Sequence, residues 1–375
     1  MRGRGSGRGA ARKNLTRPSR GRKAPDHKTG GPCYPLDFAN PRANTSPVEV
    51  RALVNSFLRA LLCIGAVGGT SQQFATPPQP LEPAPGLTPS EIEIYRHART
   101  LIDWTPHQIH HCPYLHKLQP AASQDELPMI LARVGQTVTD QFHDFPKVAC
   151  DEEISETRLE QGGVQFLADY TAVPERSGTT IRQKLRYIIL PWPNSDIPAF
   201  EEYRTDLNGN PLDSSNLRGF VMTSSKYASI YLYFSPADQH DSRFRYFGTE
   251  AIRDRECHVV AFAQVPEKAR RVDLFHSTGA TFGLLFQGLA WVDSGNFRIL
   301  RITCWLLASR KDIGVNSQTT TVDFFPFQPS GSEKALWLPC DVMVMLDFRG
   351  TQVRDTHRYS NFKLFRVEST VKQAE

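Results

Sequence analysis

The stretch that decides the fold is LLFQGLAWVDSGNFRILRITCWLL, from Leu284 to Leu307. Two apolar runs, Leu284 to Val292 and Phe297 to Leu307, flank the tetrapeptide Asp-Ser-Gly-Asn at positions 293 to 296. Runs rich in aliphatic and aromatic residues are typical of strands, and a short glycine-containing connection forces antiparallel pairing. The stretch therefore predicts a buried antiparallel hairpin.

Apolar and polar residues alternate with a period of two, as in strands, through most of the chain after Gly163. Turn sequences separate the predicted strands, apart from one short helix around Ser224 to Tyr231. Parallel neighbours would need a crossover of about a dozen residues, so these strands are expected to form an antiparallel meander. Besides the hairpin, the predicted strands are Val164 to Ala172, Thr180 to Leu190, Glu202 to Asp206, Phe244 to Phe247, Cys257 to Gln264, Thr319 to Phe325, Ala335 to Phe348 and Arg354 to Val367.

Two helices are predicted before the strands. The first begins near Thr88 and runs to about Trp104, and the second begins at a capping box formed by Ser123 and Glu126. One face of the second helix is apolar at three- and four-residue steps and must be buried: Leu127, Ile130, Leu131, Val134, Val138 and Phe142. The expected fold class is α+β, with a curved, mostly antiparallel β-sheet (a half-barrel-like meander) packed on one or two N-terminal helices.

The first fifty residues form a basic arm with 11 Lys and Arg against three acidic residues, so the rest of the chain is weakly acidic. Its polar, Gly-rich composition predicts that residues 1–50 are disordered. Translation starting later, for instance at Val48 or Val50, is an alternative. Nucleic-acid binding is not expected, because the arm lacks the aromatic residues that stack on bases.

Residues 51–75 resemble a signal peptide or an anchor, with an uncharged apolar core from Ala60 to Gly69. A spanning helix needs about 20 apolar residues, so cleavage after Gly69 or Ala75 is preferred to an uncleaved anchor that places residues 53–69 in the membrane. Lipidation at Cys63 is disfavoured because Leu62 precedes it. The expected location is the periplasm or cell envelope, either free or anchored to the inner membrane.

The remaining chain divides by composition. Residues 76–87 hold five prolines and form a Pro-rich linker, residues 88–122 hold a helix and a loop, and residues 123–375 form the β-rich domain. Five cysteines follow the leader, which allows at most two disulfides with a pairing that the sequence leaves open.

A histidine-rich stretch between positions 107 and 116 is the candidate metal site. His107 and His111 share one face of a helix and, with Cys112, could supply nitrogen and sulfur ligands for zinc. Pro106 and Pro113 restrict any helix here to about one turn. Solvated loop histidines are therefore the alternative interpretation.

Common catalytic motifs are missing from the sequence. There is no G-x-S-x-G elbow and no Gly-Lys-Ser/Thr phosphate loop. The acidic run Asp151-Glu152-Glu153 is typical of a solvated edge. We expect a protein without catalytic residues or cofactor, and treat enzymatic activity as undecided.

Aromatic residues are dense between positions 227 and 247. Four of them are candidate ligand-binding residues: Tyr231, Phe234, Phe244 and Tyr246. They could line an apolar cavity of the kind that a curled antiparallel sheet encloses. The alternative is an ordinary core where helix and sheet meet.

Five segments carry a family resemblance: YLYFSPADQHDSRFRYFG, CHVVAFAQVPEKA, LLFQGLAWVDSGNFRILRITCWLLA, LWLPCDVMVMLDFRG and HRYSNFKLFRV. Together they resemble a family of uncharacterised exported proteins abundant in acidobacteria, over about residues 125–370. The resemblance implies an exported location and a fold, but no site. The hairpin around Gln287 to Arg301 also resembles the envelope lipoprotein carriers, in which a half-open barrel shelters acyl chains.

The hypothesis from the sequence is an exported envelope protein that binds an apolar or lipid-like ligand without catalysis. The alternatives are a structural or protein-interaction module that pairs with an envelope partner, and a metal-dependent enzyme. A cavity larger than about 300 Å³ would favour the carrier, and a filled interior would favour the interaction module.

Overall fold

The protein is described by a computed structural model that covers residues 86–159, 177–192, 198–210, 212, 226–277, 280–329 and 334–365. Its strands in chain order are β1 (Gln119–Pro120), β2 (Val148–Leu159), β3 (Ser177–Trp192), β4 (Ala199–Thr205), β5 (Ser242–Ile252), β6 (Arg255–Gln264), β7 (Asp273–Ser277), β8 (Ala280–Leu284), β9 (Phe286–Asp293), β10 (Ile299–Leu306), β11 (Val315–Phe327), β12 (Leu336–Phe348) and β13 (Thr351–Leu364). The α-helices are α1 (Pro89–Arg96), α2 (Pro106–His110) and α3 (Leu127–His143), and 3₁₀ helices span Leu101–Asp103, Pro113–Leu115, Ala228–Phe234, Gln239–Asp241 and Lys311–Ile313.

Eleven strands form one open sheet in the order β1-β5-β6-β9-β10-β11-β12-β13-β2-β3-β4, and β7 pairs with β8 separately. Every pairing in the sheet is antiparallel. The predicted fold class, a curved and mostly antiparallel sheet with a few helices, is confirmed.

The predicted hairpin is present as β9 and β10, with Trp291 opposite Arg301. Its turn is closed by the Asp293 side chain, whose Oδ1 accepts hydrogen bonds from the backbone N–H groups of Gly295 and Asn296, both at 2.9 Å. Both faces of β9 are buried. The hairpin therefore lies at the centre of the sheet, as its apolar sequence requires.

One central strand was not predicted. β2 pairs with both β13 and β3, although its sequence includes the acidic run from Asp151 to Glu153 that we assigned to a solvated edge. That interpretation is wrong for Glu152, which is 1% exposed. The β7–β8 hairpin was also missed, and the predicted strand Val164 to Ala172 lies outside the described residues.

The apolar face of α3 is buried as predicted, with Ile130, Val134 and Val138 in the main core. The predicted capping box is wrong, because α3 begins at Leu127 and the Ser123 hydroxyl pairs with Asp125 at 2.8 Å. The first helix does have a capping box, formed by Thr88 and Glu91, but it ends at Arg96. A 3₁₀ turn replaces the rest of that predicted helix.

Candidate functional site

The 3₁₀ helix Ala228–Phe234, here called the strap, lies with α3 over the inner face of the sheet, the face that carries Phe262, Phe324 and His357. Its Tyr231 ring packs against Phe324 and its Phe234 ring against Phe262, with centroids 6.0 and 5.6 Å apart. Six of the seven strap residues are buried. The strap thus forms part of the core and overlaps the short helix that the sequence predicted around Ser224 to Tyr231.

A small cavity, here called the seam, lies between α3, the strap and strands β10 to β12. Its volume is about 10 Å³, which is room for about one water molecule. Its walls are mainly apolar and aromatic, and its lining residues are Thr137, Val138, Gln141, Tyr231, Phe297, Ile299, Phe324 and Trp337. A carrier was expected to have a cavity larger than about 300 Å³. The interior at the seam is therefore filled by that measure.

The four predicted ligand-binding residues do not meet at one site. Tyr231 lines the seam and is 3% exposed. Phe234 and Phe244 contact each other, with ring centroids 5.4 Å apart. The Tyr246 hydroxyl lies 3.1 Å from Nδ1 of His258, so Tyr246 belongs to a separate cluster.

The predicted metal ligands are also divided. The rings of His107 and His111 stack with centroids 4.1 Å apart on an exposed turn. Cys112 is only 1% exposed, and burial raises the pKa of its thiol to about 11. Within the described ranges, no group of three or more His, Cys, Asp or Glu side chains could hold a metal ion. The zinc site stays a prediction.

Sequence reasoning missed the most densely connected polar group of the inner face, here called the carboxylate network. Glu152 on β2 pairs with Arg204 on β4, whose Nη2 lies 2.8 Å from Oε1 of the carboxylate. The Tyr359 hydroxyl donates to the same oxygen at 2.9 Å. Nδ1 of His357 lies 2.8 Å from it as well. All four side chains are buried.

A second buried carboxylate, Glu202, holds the strap close to this network. Glu202 on β4 accepts hydrogen bonds from the backbone N–H groups of Ala228 and Ser229, both at 2.9 Å. The hydroxyls of Ser229 and Tyr187 also donate to it. Because the first residues of a helix have no intrahelical acceptor for their N–H groups, Glu202 satisfies the start of the strap.

The charges of the network set its protonation. Burial alone would raise the pKa of Glu152, but the charge of Arg204 and the hydrogen bond from His357 outweigh it and lower the pKa to about 2. Burial opposes a charged His357, yet the hydrogen bonds to Asp355 and Glu152 raise its pKa above the ordinary value. Burial raises the pKa of Glu202, against the hydrogen bonds that it accepts. The arrangement fits a buried ion-pair network around a histidine.

One signal in the sequence could have revealed this network. In VACDEEISETRL, Val148, Cys150 and Ile154 are apolar at even positions, which places Glu152 on their face if the segment is a strand. A single carboxylate inside an apolar alternation indicates a buried partner. That partner, Arg204, is 52 residues away and cannot be identified from spacing.

The sequence matches no protein-family model and no curated protein. Among solved structures, it is similar to a candidate outer membrane lipoprotein-sorting protein domain from Vibrio parahaemolyticus (12% identity, 62% of this chain and 91% of that chain, TM-score 0.34). It is also similar to a DUF1329 family protein from Desulfovibrio piger (13%, 65% and 95%, 0.36). A third is a LolA superfamily protein from Nitrosomonas europaea (12%, 62% and 94%, 0.29).

The Vibrio parahaemolyticus domain carries the lipoprotein-sorting description that agrees with the resemblance expected from the central hairpin. Superpositions with TM-scores of 0.29 to 0.36 are too loose to carry an argument about what this chain binds. The resemblance to the acidobacterial exported proteins stays a hypothesis. Among the described helices, none has both the length and the apolar character needed to cross a membrane. The predicted leader, residues 51–75, lies outside the described residues.

Proposed function

We propose that this protein is an exported, non-catalytic binding protein of the cell envelope, and that an apolar or lipid-like ligand enters the seam when α3 moves away from the sheet. The supporting observation is the wall of the seam, where six of the eight lining residues are apolar or aromatic. Ligand pockets are mostly apolar with a few placed polar groups. The seam has that composition but not the volume, so the proposal requires that α3 move to make room for the ligand.

The element that would open is α3. It contacts the inner face mainly through apolar side chains, and one hydrogen bond ties it to the sheet beside the seam, from Nε2 of Gln141 to the carbonyl oxygen of Trp337 at 2.8 Å. Apolar contacts are non-directional and can be exchanged for contacts with a ligand chain. Movement of α3 would therefore cost that hydrogen bond, the bond from Nε2 of Gln239 to the carbonyl oxygen of Leu131 at 2.9 Å, and the contacts that a ligand restores.

Uptake of the fluorescent hydrocarbon diphenylhexatriene tests the proposal. We expect saturable binding, and faster and tighter binding to the Gln141→Met variant, which lacks the bond to β12. Gln136→Met is the matched control, because Gln136 lies on the exposed face of α3 and bonds to Asp140 on the same helix. Native mass spectrometry of protein purified from its own envelope should show a bound apolar molecule. Absence of dye uptake by all three proteins, together with an empty native protein, would refute the carrier.

The filled interior supports a second candidate, a structural module that pairs with another envelope protein. β4 is the last strand in the sheet order, and Tyr203 on it is 37% exposed. Strands at the end of a sheet are templates for pairing with another chain. A photo-crosslinking residue at position 203 should give one discrete adduct in cells, whereas the same residue at exposed Met129 on α3 should not. Equal, diffuse labelling from both positions would count against this candidate.

A further inference from the structure

The edge of the sheet has a gap beside β3, here called the notch. β3 is 16 residues long, but β4 pairs only with its C-terminal part, from Arg186 to Trp192. Residues 177–185 are therefore bonded to β2 on one side, and no described strand lies on their other side. At about 3.4 Å per residue, this open edge is about 30 Å long, which is room for one more strand.

The backbone of the notch can form further hydrogen bonds. In an antiparallel pair, residues bonded to the neighbouring strand alternate with residues whose N–H and C=O groups point away from it. About four of the nine residues from 177 to 185 thus present both groups to the open side. An exposed strand edge of this kind accepts another extended chain. Thr179 and Thr180, near the start of the notch, are both exposed.

The notch is basic on one face of the sheet. Arg182 and Lys184 are both exposed, and their spacing of two residues places them on the same face. Arg182 lies opposite Ser155 on β2, and no acidic side chain of the described ranges pairs with it. Lys184 lies opposite Glu153, from which its Nζ is 3.7 Å away, and is 67% exposed. Both cations are therefore accessible to a strand in the notch.

The alternate positions of the notch face the other way and are less exposed. Ile181 is half-buried, and Leu185 is buried. Side chains that lie opposite each other on one face of an antiparallel pair interact directly. A strand in the notch would therefore meet apolar side chains on one face and the two cations on the other. The sequence that fits alternates apolar and acidic residues.

Charged side chains on an edge strand often serve to prevent pairing with other chains. At the notch this protection is selective. A strand with basic residues at the facing positions is repelled, whereas a strand with acidic residues there forms ion pairs with Arg182 and Lys184. The two cations thus specify which kind of strand fits.

We infer that the notch is a docking edge for an extended acidic segment of another protein, which adds to β3 as an antiparallel strand and pairs its carboxylates with Arg182 and Lys184. Because the notch lies on β3 and the seam lies between α3, the strap and strands β10 to β12, docking at the notch does not depend on the proposed carrier. It also differs from pairing along the free side of β4, which the crosslinking residue at position 203 tests.

Binding of fluorescent peptides to the full chain, measured by anisotropy, tests the docking edge. The probe is the heptapeptide Thr-Val-Glu-Val-Glu-Val-Thr, and two matched peptides separate charge from strand pairing. One has lysine at both glutamate positions. The other keeps both glutamates but is methylated at every backbone nitrogen, so it cannot donate to β3. We expect the probe to bind about tenfold more tightly than either matched peptide.

The Arg182→Glu variant tests the charge of the notch. Because a like charge then faces the acidic strand, we expect the probe to bind about tenfold more weakly and the lysine peptide to bind more tightly than it does to the wild type. Lys268→Glu is the matched control. It makes the same change in net charge at an exposed position on the connection between β6 and β7, and it should bind the probe as the wild type does.

Equal binding of the probe and its methylated form would overturn the inference, because the contact would then be electrostatic without strand pairing. Absence of binding by all three peptides would also overturn it and leave the two cations as protection of the edge alone. So would equal losses in Arg182→Glu and Lys268→Glu.

Amide hydrogen exchange shows whether the edge is free. We expect alternate amides of residues 179–185 to exchange rapidly in the protein alone and to become protected when the probe is added. Slow exchange of all these amides before the probe is added would overturn the inference, since the notch would already be occupied. If that protection falls on dilution, the occupant is a second copy of the chain, and if it does not, the occupant is another segment of the same chain.

Discussion

Nδ1 of His357 lies 2.8 Å from Oε1 of Glu152, while Nε2 of the same ring lies 3.2 Å from Oδ2 of Asp355. All three side chains are 1% exposed. An imidazole with a carboxylate at each nitrogen is held in its charged form. One contact joins β13 to β2 and the other lies within β13, and together they make the stability of the core depend on the protonation state of His357.

We expect stability to be greatest in mildly acidic solution. His357 has a raised pKa, so its contribution is complete below the ordinary value of 6.5 and is lost as the pH rises through the raised pKa. Glu152 has a pKa lowered to about 2, so its contribution is present above 4.5 and is lost as the pH falls toward 2. The free energy of unfolding in urea should therefore be higher at pH 5.5 than at pH 3 or pH 8.

The His357→Asn variant should lose the difference between pH 5.5 and pH 8. His111→Asn, on the exposed turn, is the control and should keep it. A wild-type profile that rises steadily from pH 5.5 to pH 8 would contradict a charged His357.

Arg204→Met should destabilise the protein by about 3–5 kcal/mol, because it leaves Glu152 charged and buried without its main partner. The pair Lys184 and Glu153 joins β3 to β2 on the exposed face, with 67% and 52% of the side chains exposed and a separation of 3.7 Å. Lys184→Met should cost less than about 1 kcal/mol. Urea unfolding of the two variants measures the contrast, and equal losses would show that burial does not set the strength of the Glu152 pair.

Glu152 is buried and Glu153 is exposed, and this difference shows which features the sequence could predict. The hairpin of β9 and β10 and the buried face of α3 follow from short-range patterns, in which period and turn residues agree. The role of Glu152 depends on Arg204 and His357, which come from distant strands that only the folded sheet brings together. The four aromatic residues proposed to bind a ligand lie in or against the core, which was the alternative left open by the sequence, and their division between the seam and two other clusters depends on packing.

Amide hydrogen exchange can test whether Glu202 holds the first residues of the strap in place. In Glu202→Gln an amide replaces one acceptor oxygen, so an N–H donor faces the donors Ala228 N–H and Tyr187 O–H. We expect a loss of about 1–3 kcal/mol in unfolding free energy and faster amide hydrogen exchange at Ala228 and Ser229. Glu201→Gln, one residue away on the same strand, is the control. Unchanged exchange at the strap in Glu202→Gln would exclude this carboxylate as its attachment.

Measured zinc content should distinguish the buried Cys112 from the exposed His111 in the predicted metal site. Because the Cys112 thiol is buried with a raised pKa, we expect Cys112→Ser to leave the zinc content of the purified protein unchanged. If the purified protein carries zinc, His111→Ala should lower its zinc content, since an exposed imidazole that stacks on His107 is available to a metal. Metal analysis after dialysis measures both. Loss of zinc in Cys112→Ser would mean that the thiol becomes accessible and the site is larger than the exposed turn.

The pairing of β1 with β5 depends on one glycine. Gly248 has φ +136° and lies against β1, where an added Cβ would be 1.9 Å from the carbonyl oxygen of Gln119 and 2.7 Å from the backbone nitrogen of Ala121. Gly248→Ala should therefore displace β1, lower the melting temperature and expose the edge of β5 to pairing with other chains. Gly209→Ala is the control, since Gly209 also has positive φ, +91°, but nothing within 4 Å of the added carbon.

The control isolates the steric clash, because both variants place an alanine at positive φ, a backbone strain of about 1–3 kcal/mol. Size-exclusion chromatography after mild heating should show aggregates of Gly248→Ala and a monodisperse Gly209→Ala. If both variants behave alike, β1 contributes nothing to the protection of the edge, and the contacts of Arg243 with Asp103 and of Gln124 with Tyr246 must cover it instead.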